Sequence, residues 1–380
     1  MRDCSRDFSL YIHIPFCSSK CAYCDFLSVT DRSLMDEYFR ALSYEITSTA
    51  HSINGERDVD NIYIGGGTPS VATPYLEGLF NALRINFSIK SDAEISVECN
   101  PESVTEGFIR IARDAGVNRI SLGVQTLSDP LLKRIGRAHD RAQAITALDK
   151  LTAAFPSVGA DMMVGLPGQE SGDVLSTVDG LLAFPIDHVS CYSLILEEGT
   201  PLFSQAQAGA FLPDDDLAVD FYDLAKDRLA EAGYERYEIS NFCRNGAICR
   251  YNTSVWQYGD YLGLGLGASS FLKKGGFPFC RMKRTSDFSR YFAIDKAGSV
   301  TKSELINAEE AEKEFVMLGL RLEEGLSLPR FSELFGRSFD QAFPGKFDKL
   351  SAYLERNDTH IRIKSEYFYV SNSVISEIIF

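Results

Sequence analysis

Three cysteines lie within eight residues near the start of the chain, in the stretch HIPFCSSKCAYCDF. Cys17, Cys21 and Cys24 have the spacing C-x3-C-x2-C, and Phe26 stands where a fourth cysteine would follow. Soft thiolates at this spacing suit three corners of a [4Fe–4S] cluster and leave the fourth iron open to a ligand from outside the protein. Zinc would need a fourth ligand, usually from a second cysteine or histidine pair, and no such pair follows at zinc-finger distance. We therefore favour the cluster and keep a zinc-stabilised regulatory module as the weak alternative.

The composition is that of a globular chain with net negative charge. Its 380 residues are 45% hydrophobic and 24% charged, with a formal net charge of −15. The negative charge argues against sequence-independent binding of nucleic acid, and no apolar run approaches the roughly 18 residues of a membrane span. The opening segment MRDCSRDFSLYIHIP has charges on both sides of a short apolar run, unlike a secretory signal. We therefore expect a cytoplasmic protein, in which thiols stay reduced.

Short β-rich runs alternate with helical stretches in the first half of the chain, which predicts a parallel sheet with right-handed crossovers. The predicted strands are Leu10–Pro15, Asn61–Gly66, Glu94–Glu98, Arg119–Val124, Gly159–Val164 and His188–Ser193. The predicted helices lie near 32–50, 73–86, 103–115, 128–154 and 171–183. Six units fall short of the eight in a full barrel, so we expect an α/β fold with an open, partial (β/α)6 TIM-like barrel.

The pattern changes beyond about residue 200. The elements predicted there are a helix at 214–232, strands at Tyr234–Phe242 and Tyr261–Gly267, and a charged helix near 304–320. The last sixty residues add predicted helices at 328–335 and 341–355 and strands at His360–Lys364 and Tyr367–Val370. This order predicts a small α+β domain of winged-helix type at the end of the chain.

The predicted parallel strands end in residues that could contact a ligand. The second strand runs into GGGTPS, and glycines allow the backbone to approach a ligand closely. Glu98 ends the third strand, Gln125 follows the fourth, and Asp161 lies in the fifth. In a barrel, these strand ends form the ligand-binding face. Without the cysteines, we would interpret GGGTPS as an ordinary glycine-rich turn.

Together these motifs resemble the radical S-adenosylmethionine (SAM) superfamily. Within it, YIHIPFC, YIGGGTPS, SVECNPE, SLGVQ, GRAHD and GADMMVGLPGQ are similar to the oxygen-independent coproporphyrinogen III oxidase family and its relatives, the HemW-type heme chaperones. The similarity continues through YEISNF and GDYLGLGLGAS to LGLRLEEGL, and so covers nearly the whole chain. It implies that SAM chelates the open iron and is cleaved to a 5′-deoxyadenosyl radical. The SAM contacts it implies are Tyr11, Gly66, Gly67, Thr68, Glu98, Gln125, Arg137 and Asp161.

Two features favour the chaperone branch over the oxidases. The oxidases of this family add a cysteine two residues after the triplet and carry a long extension before the first strand. This sequence has Phe26 there and sixteen residues before Cys17. The resemblance therefore implies a protein that binds heme and delivers it to hemoproteins, with porphyrinogen decarboxylation as the alternative, so enzyme activity stays open. It also implies an electron donor for the cluster and, by analogy, a homodimer.

The chaperone branch usually carries H-N-x-x-Y-W before the GDYLG-like stretch. This chain keeps Asn252 and Trp256, but Tyr251 replaces the histidine and Val255 replaces the tyrosine. Tyrosine is a known ligand type for heme iron, so Tyr251 is either an iron ligand or a packing aromatic. We expect a barrel at 1–235, an extension carrying this heme or substrate segment at 236–300, and a cap at 301–380.

Overall fold

A computed structural model describes residues 1–52, 57–209, 214–273, 276–294 and 300–380. Twelve strands of these residues form one sheet, in the order β12-β11-β10-β9-β1-β2-β3-β4-β5-β6-β8-β7. The strands are β1 (Phe8–Ile14), β2 (Val59–Gly66), β3 (Ile89–Cys99), β4 (Arg119–Gln125), β5 (Ser157–Val164), β6 (His188–Ser193), β7 (Glu235–Arg236), β8 (Asn241–Cys243), β9 (Asp260–Leu264), β10 (Ser269–Leu272), β11 (Phe279–Arg284) and β12 (Val300–Ile306).

Strands β1 to β6 pair in parallel, each with the next, as the sequence pattern predicted. β9 also pairs in parallel with β1, whereas β7, β8 and β10 to β12 run antiparallel to their neighbours. The sheet has two edges, at β12 and β7. The partial barrel is therefore confirmed. The strands β10 to β12 were not predicted, and the predicted strand Tyr234–Phe242 is two short strands, β7 and β8.

Ten helices of the described residues lie along the chain between the strands of this sheet. They are α1 (Met35–Ser52), α2 (Thr73–Asn86), α3 (Glu106–Asp114), α4 (Asp129–Arg134), α5 (Arg141–Ala154), α6 (Ser171–Leu182), α7 (Pro201–Gln207), α8 (Asp215–Glu231), α9 (Arg250–Trp256) and α10 (Phe288–Phe292). The prediction of one helix over 128–154 was wrong. Gly136 has a φ of +73°, which ends α4, and Asp140 forms a capping box with Gln143 that begins α5.

The core lies between the sheet and these helices. In β1 every side chain except that of Tyr11 is buried, and Leu10, Ile12 and Ile14 have no exposed surface. Parallel strands buried on both faces are expected to be apolar throughout. Each such side chain contributes roughly 1.5–3 kcal/mol relative to an exposed one. The half-exposed Tyr11 thus marks the place where β1 meets a cleft.

The end of the chain packs around a second sheet of three strands, in the order β13-β15-β14. Its elements are α11 (Ala308–Gly319), β13 (Leu326–Ser327), α12 (Leu328–Phe335), α13 (Phe339–Ala342), α14 (Lys346–Lys349), β14 (Leu354–Arg356), β15 (His360–Ile363) and α15 (Ser371–Ile379). The succession from α11 to β15 is the winged-helix order that was predicted.

Three predicted elements near the end of the chain were wrong in detail. The helix near 304–320 begins only at Ala308, because residues up to Ile306 belong to β12. The helix at 341–355 is broken into α13, α14 and β14. Residues predicted as the strand Tyr367–Val370 form part of a 3-10 helix that leads into α15. The domain limits at 235 and 300 stay predictions. No helix in the described ranges is both long and apolar enough to cross a membrane.

Candidate functional site

The three clustered cysteines lie on the loop after β1. Cys17 N donates to Val29 O at 3.0 Å, and Cys24 N donates to Cys21 O at 3.2 Å. All three thiol side chains are partly exposed. Backbone hydrogen bonds therefore shape the loop and leave its sulfur atoms accessible.

The middle of this loop packs against the segment that follows α4. Ala22 N donates to Ile135 O at 2.9 Å, and Ala22 O accepts from Leu202 N at 2.8 Å. A Cβ at Gly136 would lie only 3.3 Å from Ala22 N, so glycine permits this close approach. The break between α4 and α5 therefore helps to position the cysteine loop.

Two side chains predicted as SAM contacts donate to the thiols. Thr68 Oγ1 donates to Cys17 Sγ at 3.6 Å, and Arg137 Nη1 donates to Cys21 Sγ at 3.5 Å. Arg137 Nε is buried and has no hydrogen-bond partner among the described residues. Buried donors of this kind stabilise negative charge. The loop and its neighbours are thus suited to an anionic group.

The donor set fits an iron–sulfur cluster better than a single metal ion. Among the described residues, no three His, Cys, Asp or Glu side chains are placed to hold one ion. A [4Fe–4S] cluster takes one thiolate for each iron, so its sulfur ligands stand apart. Three thiols on one loop, beside a buried guanidinium with an unpartnered nitrogen, suit a cluster and weaken the zinc alternative.

The glycine-rich turn after β2 encloses the carboxylate of Glu98. Gly66 N donates to Glu98 Oε2 at 3.1 Å, and Tyr63 OH donates to Glu98 Oε1 at 2.7 Å. A Cβ at Gly65 would lie 2.8 Å from the carboxyl carbon, and one at Gly66 would clash with the His13 ring. Burial raises the pKa of Glu98 to about 7, against the opposing effect of these two donors. Two donors thus hold the Glu98 carboxyl group in place, and a cation placed beside it would favour its ionised form.

The next two residues of the turn lie against the cysteine loop. Gly67 N donates to Ile14 O at 2.9 Å, and Thr68 N donates to Phe16 O at 2.7 Å. A Cβ at Gly67 would lie 2.7 Å from Phe16 O. Asn100 Nδ2 donates to Thr68 Oγ1 at 2.8 Å, which orients the hydroxyl toward Cys17. The turn thus joins β1, β2 and β3 at one end of the sheet.

Gln125 and Arg137 meet at Gly123, near the end of β4. A Cβ at Gly123 would lie 2.6 Å from Asn100 Oδ1, 3.1 Å from Arg137 Nη2 and 3.2 Å from Gln125 Nε2. Arg137 Nη2 donates to Asn100 Oδ1 at 2.8 Å. Gln125 has a φ of +66°, an uncommon conformation for a residue other than glycine. This strand end is therefore irregular where the predicted contacts converge.

Asp161 lies deeper in the barrel and shares a polar cavity of about 50 Å³ with Glu98. Ser121 Oγ donates to the two carboxylate oxygens of Asp161 at 3.0 and 3.2 Å. Burial raises the pKa of Asp161. Arg119 and His188 line the same cavity, and burial holds the pKa of His188 well below its usual value, so this imidazole is neutral.

Three tyrosines stack beside this cavity. Their three rings lie against one another, with centroids 4.9 Å apart for Tyr63 and Tyr251, 6.0 Å for Tyr11 and Tyr251, and 6.3 Å for Tyr11 and Tyr63. The carbonyl oxygen of Leu27 can only accept, so His13 Nε2 donates to it at 2.9 Å. A neutral imidazole carries one N–H, so the other nitrogen, Nδ1, accepts from Tyr11 OH at 3.0 Å. Burial raises the pKa of Tyr251 well above its usual value. The stack thus presents neutral aromatic rings to the cleft.

A larger cavity of about 440 Å³ opens next to the tyrosine stack. Its walls come from β1, β6, α9, β9 and the segment that precedes β8, and include Tyr11, Tyr192, Glu238, Tyr251, Asn252 and Trp256. The three residues predicted as a heme or substrate segment thus all line one cavity. Burial raises the pKa of Glu238 to about 7. No Lys or Arg is found among the lining residues in the described part of the chain.

Several residues of the site were missed in the sequence. Asn100 and Glu238 fall inside the motifs SVECNPE and YEISNF, and their polar side chains at strand ends were the available signal. The position of Tyr63 in the site follows only from the register of β1 and β2, which pairs it with Tyr11. His13, two residues after Tyr11 in β1, also lines the 440 Å³ cavity.

Comparisons with known proteins agree with this geometry. The model of the radical SAM superfamily matches residues 11–181, and that of the HemN C-terminal domain matches residues 306–366. The mitochondrial Radical S-adenosyl methionine domain-containing protein 1 of Bos taurus is 36% identical over 335 residues, which are 85% of this chain and 75% of that protein. The Heme chaperone HemW of Bacillus subtilis is 34% identical over 350 residues, which are 90% of this chain and 91% of that protein. The chain belongs to the HemW family.

The fold of this HemW-family chain also matches a solved structure, that of coproporphyrinogen III oxidase (HemN) from Escherichia coli. The TM-score is 0.84 with 22% sequence identity, over 99% of this chain and 91% of that one. At this identity the match establishes the radical SAM fold. The superfamily implies a [4Fe–4S] cluster and SAM, and the geometry of the cysteine loop fits the first of these.

Proposed function

We propose that this HemW-family chain binds heme as a cargo and passes it to hemoproteins. The observation that carries the proposal is the aromatic cavity of about 440 Å³. It opens beside β1, the strand that leads into the cysteine loop, and α9 forms one of its walls. The curated relative from Bacillus subtilis that is similar over 90% of this chain is a heme chaperone.

We infer that Cys17, Cys21 and Cys24 hold a [4Fe–4S] cluster and that SAM binds beside it. Such a cluster, when bound, supplies an electron for cleavage of the SAM sulfonium. Arg137 and Thr68 orient and stabilise the thiolates through the contacts described above. The Glu98 carboxylate, when ionised, is suited to accept hydrogen bonds from an ammonium group. The proposed SAM contacts are Tyr11, Gly66, Gly67, Thr68, Glu98, Gln125, Arg137 and Asp161.

We propose that Tyr251 shapes the cavity floor rather than ligating heme iron. Its ring stacks on both Tyr11 and Tyr63 in a three-ring cluster. An iron ligand would have to be the phenolate, and burial works against that form by raising the pKa of Tyr251. Asn252 and Trp256 are the neighbours in α9 that we expect to contact the bound ring.

Further parts of the proposal concern partners and location. We propose an electron donor for the cluster, hemoproteins as recipients and a homodimeric assembly. We also propose a cytoplasmic location, where the nine free cysteines of the chain would stay reduced.

Parallel assays on anaerobically reconstituted protein test this proposal against porphyrinogen decarboxylation. One sample is titrated with hemin and followed by absorbance, while another is reduced and incubated with SAM and coproporphyrinogen III. We expect a saturable spectral change with hemin and no vinyl product. Vinyl product without saturable hemin binding would favour the oxidase alternative. Phe26→Cys, which restores the fourth cysteine of the oxidases, should leave the hemin titration unchanged.

A further inference from the structure

Two sequence motifs without an assigned role meet at one wall of the 440 Å³ cavity. Glu238, from YEISNF, lines this cavity and pairs through its backbone with Leu322, from LGLRLEEGL. Glu323 N also donates to Tyr237 O at 3.0 Å. These backbone contacts bring Arg321, the residue before Leu322, next to the cavity wall.

Arg321 is a partly buried cation without an ionic partner at close range. Its guanidinium carbon lies 5.7 Å from the ring centroid of Trp256, which lines the cavity. Its Nη2 donates to Asn372 Oδ1 at 3.1 Å, and it forms no salt bridge with the described residues. Glu238 acts on Arg321 only as a charge at longer range, and burial lowers the pKa of Arg321.

Other arginines at the same junction have carboxylate partners. Arg236 Nη2 lies 2.6 Å from Glu323 Oε2. Arg281 Nη2, near the cavity residue Tyr261, lies 2.8 Å from Glu314 Oε2. A guanidinium is a planar fork that matches a carboxylate with two hydrogen bonds. Arg321 differs from these neighbours in lacking that match within the described chain.

The cavity itself offers no cation for an acidic ligand. Its described lining contains no Lys or Arg, and its carboxyl side chain, Glu238, is 1% exposed. An ionised Glu238 would repel a carboxylate placed inside. The aromatic walls suit a flat ring, so an acidic aromatic ligand would place its ring in the cavity and its carboxylate outside, toward Trp256.

We propose that Arg321 binds a carboxylate of the ligand whose ring occupies the 440 Å³ cavity. This inference rests on the proposed function, in which the ligand is heme and the carboxylate is one of its propionates. Arg321 is then a specificity residue supplied by the segment that follows α11. Glu238 supports it by keeping the acidic end of the ligand out of the cavity.

Hemin and its dimethyl ester test the proposal, because they share the ring and differ in the carboxylates. Both are titrated anaerobically into the full-length reconstituted protein. Since hydrogen bonds to charged groups contribute about 1.5–3 kcal/mol, the wild type should bind hemin about 10- to 100-fold more tightly than the ester. Arg321→Gln should weaken the binding of hemin by that factor and leave the affinity for the ester within about twofold of the wild-type value. The variant should therefore lose the preference for hemin over the ester. Arg321→Lys should restore part of it.

Two controls separate recognition from a structural role. Arg281→Gln, which removes a cation already paired with Glu314, should preserve the preference for hemin. If Arg321 merely neutralised Glu238, Glu238→Gln combined with Arg321→Gln would restore hemin binding, whereas we expect no restoration. Thermal unfolding of each variant verifies the fold.

The possible failures are distinguishable. Equal affinities of the wild type for hemin and ester would overturn the role of Arg321 and leave heme binding in place. Equal weakening of both ligands by Arg321→Gln would also overturn it, because that result indicates a packing role. Absence of binding to both by the wild type would reject the proposed function and the inference together.

Discussion

Replacing Glu98 with glutamine should change how the stability of the metal-free protein depends on pH. In the folded chain, burial raises the pKa of Glu98 from 4.5 to about 7. Between these two values the folded state keeps a proton on Glu98 that the unfolded state has lost. Stability from this group is therefore fully present below about pH 4.5 and is lost as the pH rises through 7.

The size of the effect follows from the same shift. A rise from 4.5 to about 7 corresponds to about 3.4 kcal/mol of unfolding free energy, at 1.36 kcal/mol per pH unit. Glu98 keeps some solvent contact, and glutamine loses the hydrogen bond from Gly66 N, which contributes about 1 kcal/mol. We therefore expect the unfolding free energy of Glu98→Gln to exceed that of the wild type by about 2 kcal/mol at pH 8. At pH 5 this difference should be about 2–3 kcal/mol smaller, because the folded wild type then carries the proton on Glu98 and no longer buries its charge.

Urea unfolding followed by circular dichroism at both pH values measures this difference. Comparing variant with wild type at each pH cancels the titration of other groups. Glu106→Gln, which removes an exposed carboxyl on α3 that is paired with Lys150, is the matched control for a Glu-to-Gln change outside the cavity. A Glu98→Gln difference that is equal at the two pH values would refute the reasoning.

Three further predictions concern stability and cargo binding. Gly66→Ala should lower the unfolding free energy by about 2–4 kcal/mol, because φ is +112° and the added Cβ clashes with His13. Gly78→Ala, on the open surface of α2, is its control and should raise the unfolding free energy by about 0.5–1 kcal/mol. Urea titrations of the two variants measure these changes. Phe26→Ala should change the unfolding free energy by less than about 0.5 kcal/mol, since the side chain is 65% exposed, and losses as large as those of a core phenylalanine would contradict its position. Tyr251→Phe keeps the stacked ring, so the hemin absorbance titration should match the wild type, and a lost or shifted spectrum would make Tyr251 a ligand.

The parallel strands and the polar residues at their ends were predictable because their signals are local. An apolar run followed by glycine or a polar residue marks a strand end, and parallel topology brings such ends together. That reasoning located Glu98, Asp161 and the GGGTPS turn without any coordinates. The cysteine spacing was equally local, since three thiols on one loop can be recognised without knowledge of the fold.

What the sequence did not predict depends on contacts between distant segments. The strands β10 to β12 fall outside the regular alternation of strands and helices, and only their antiparallel pairing, β10 with β9 and each with the next, shows that the large sheet continues through them. The position of Arg321 beside Trp256 arises from the packing of the final domain against the barrel. The break in 128–154 was missed because Gly136 and Asp140 are tolerated in helical patterns, and only the positive φ at Gly136 shows that the helix ends.

The most direct test of the account is iron and sulfide analysis of the anaerobically reconstituted wild type beside two single variants. The wild type should contain about four iron and four sulfide per chain, with the absorbance of a [4Fe–4S] cluster. Cys17→Ala should lose the cluster, whereas Cys99→Ala, which alters a buried thiol away from the loop, should retain it. A wild type that takes up zinc without sulfide, or a Cys17→Ala variant that keeps the full cluster, would contradict the central claim.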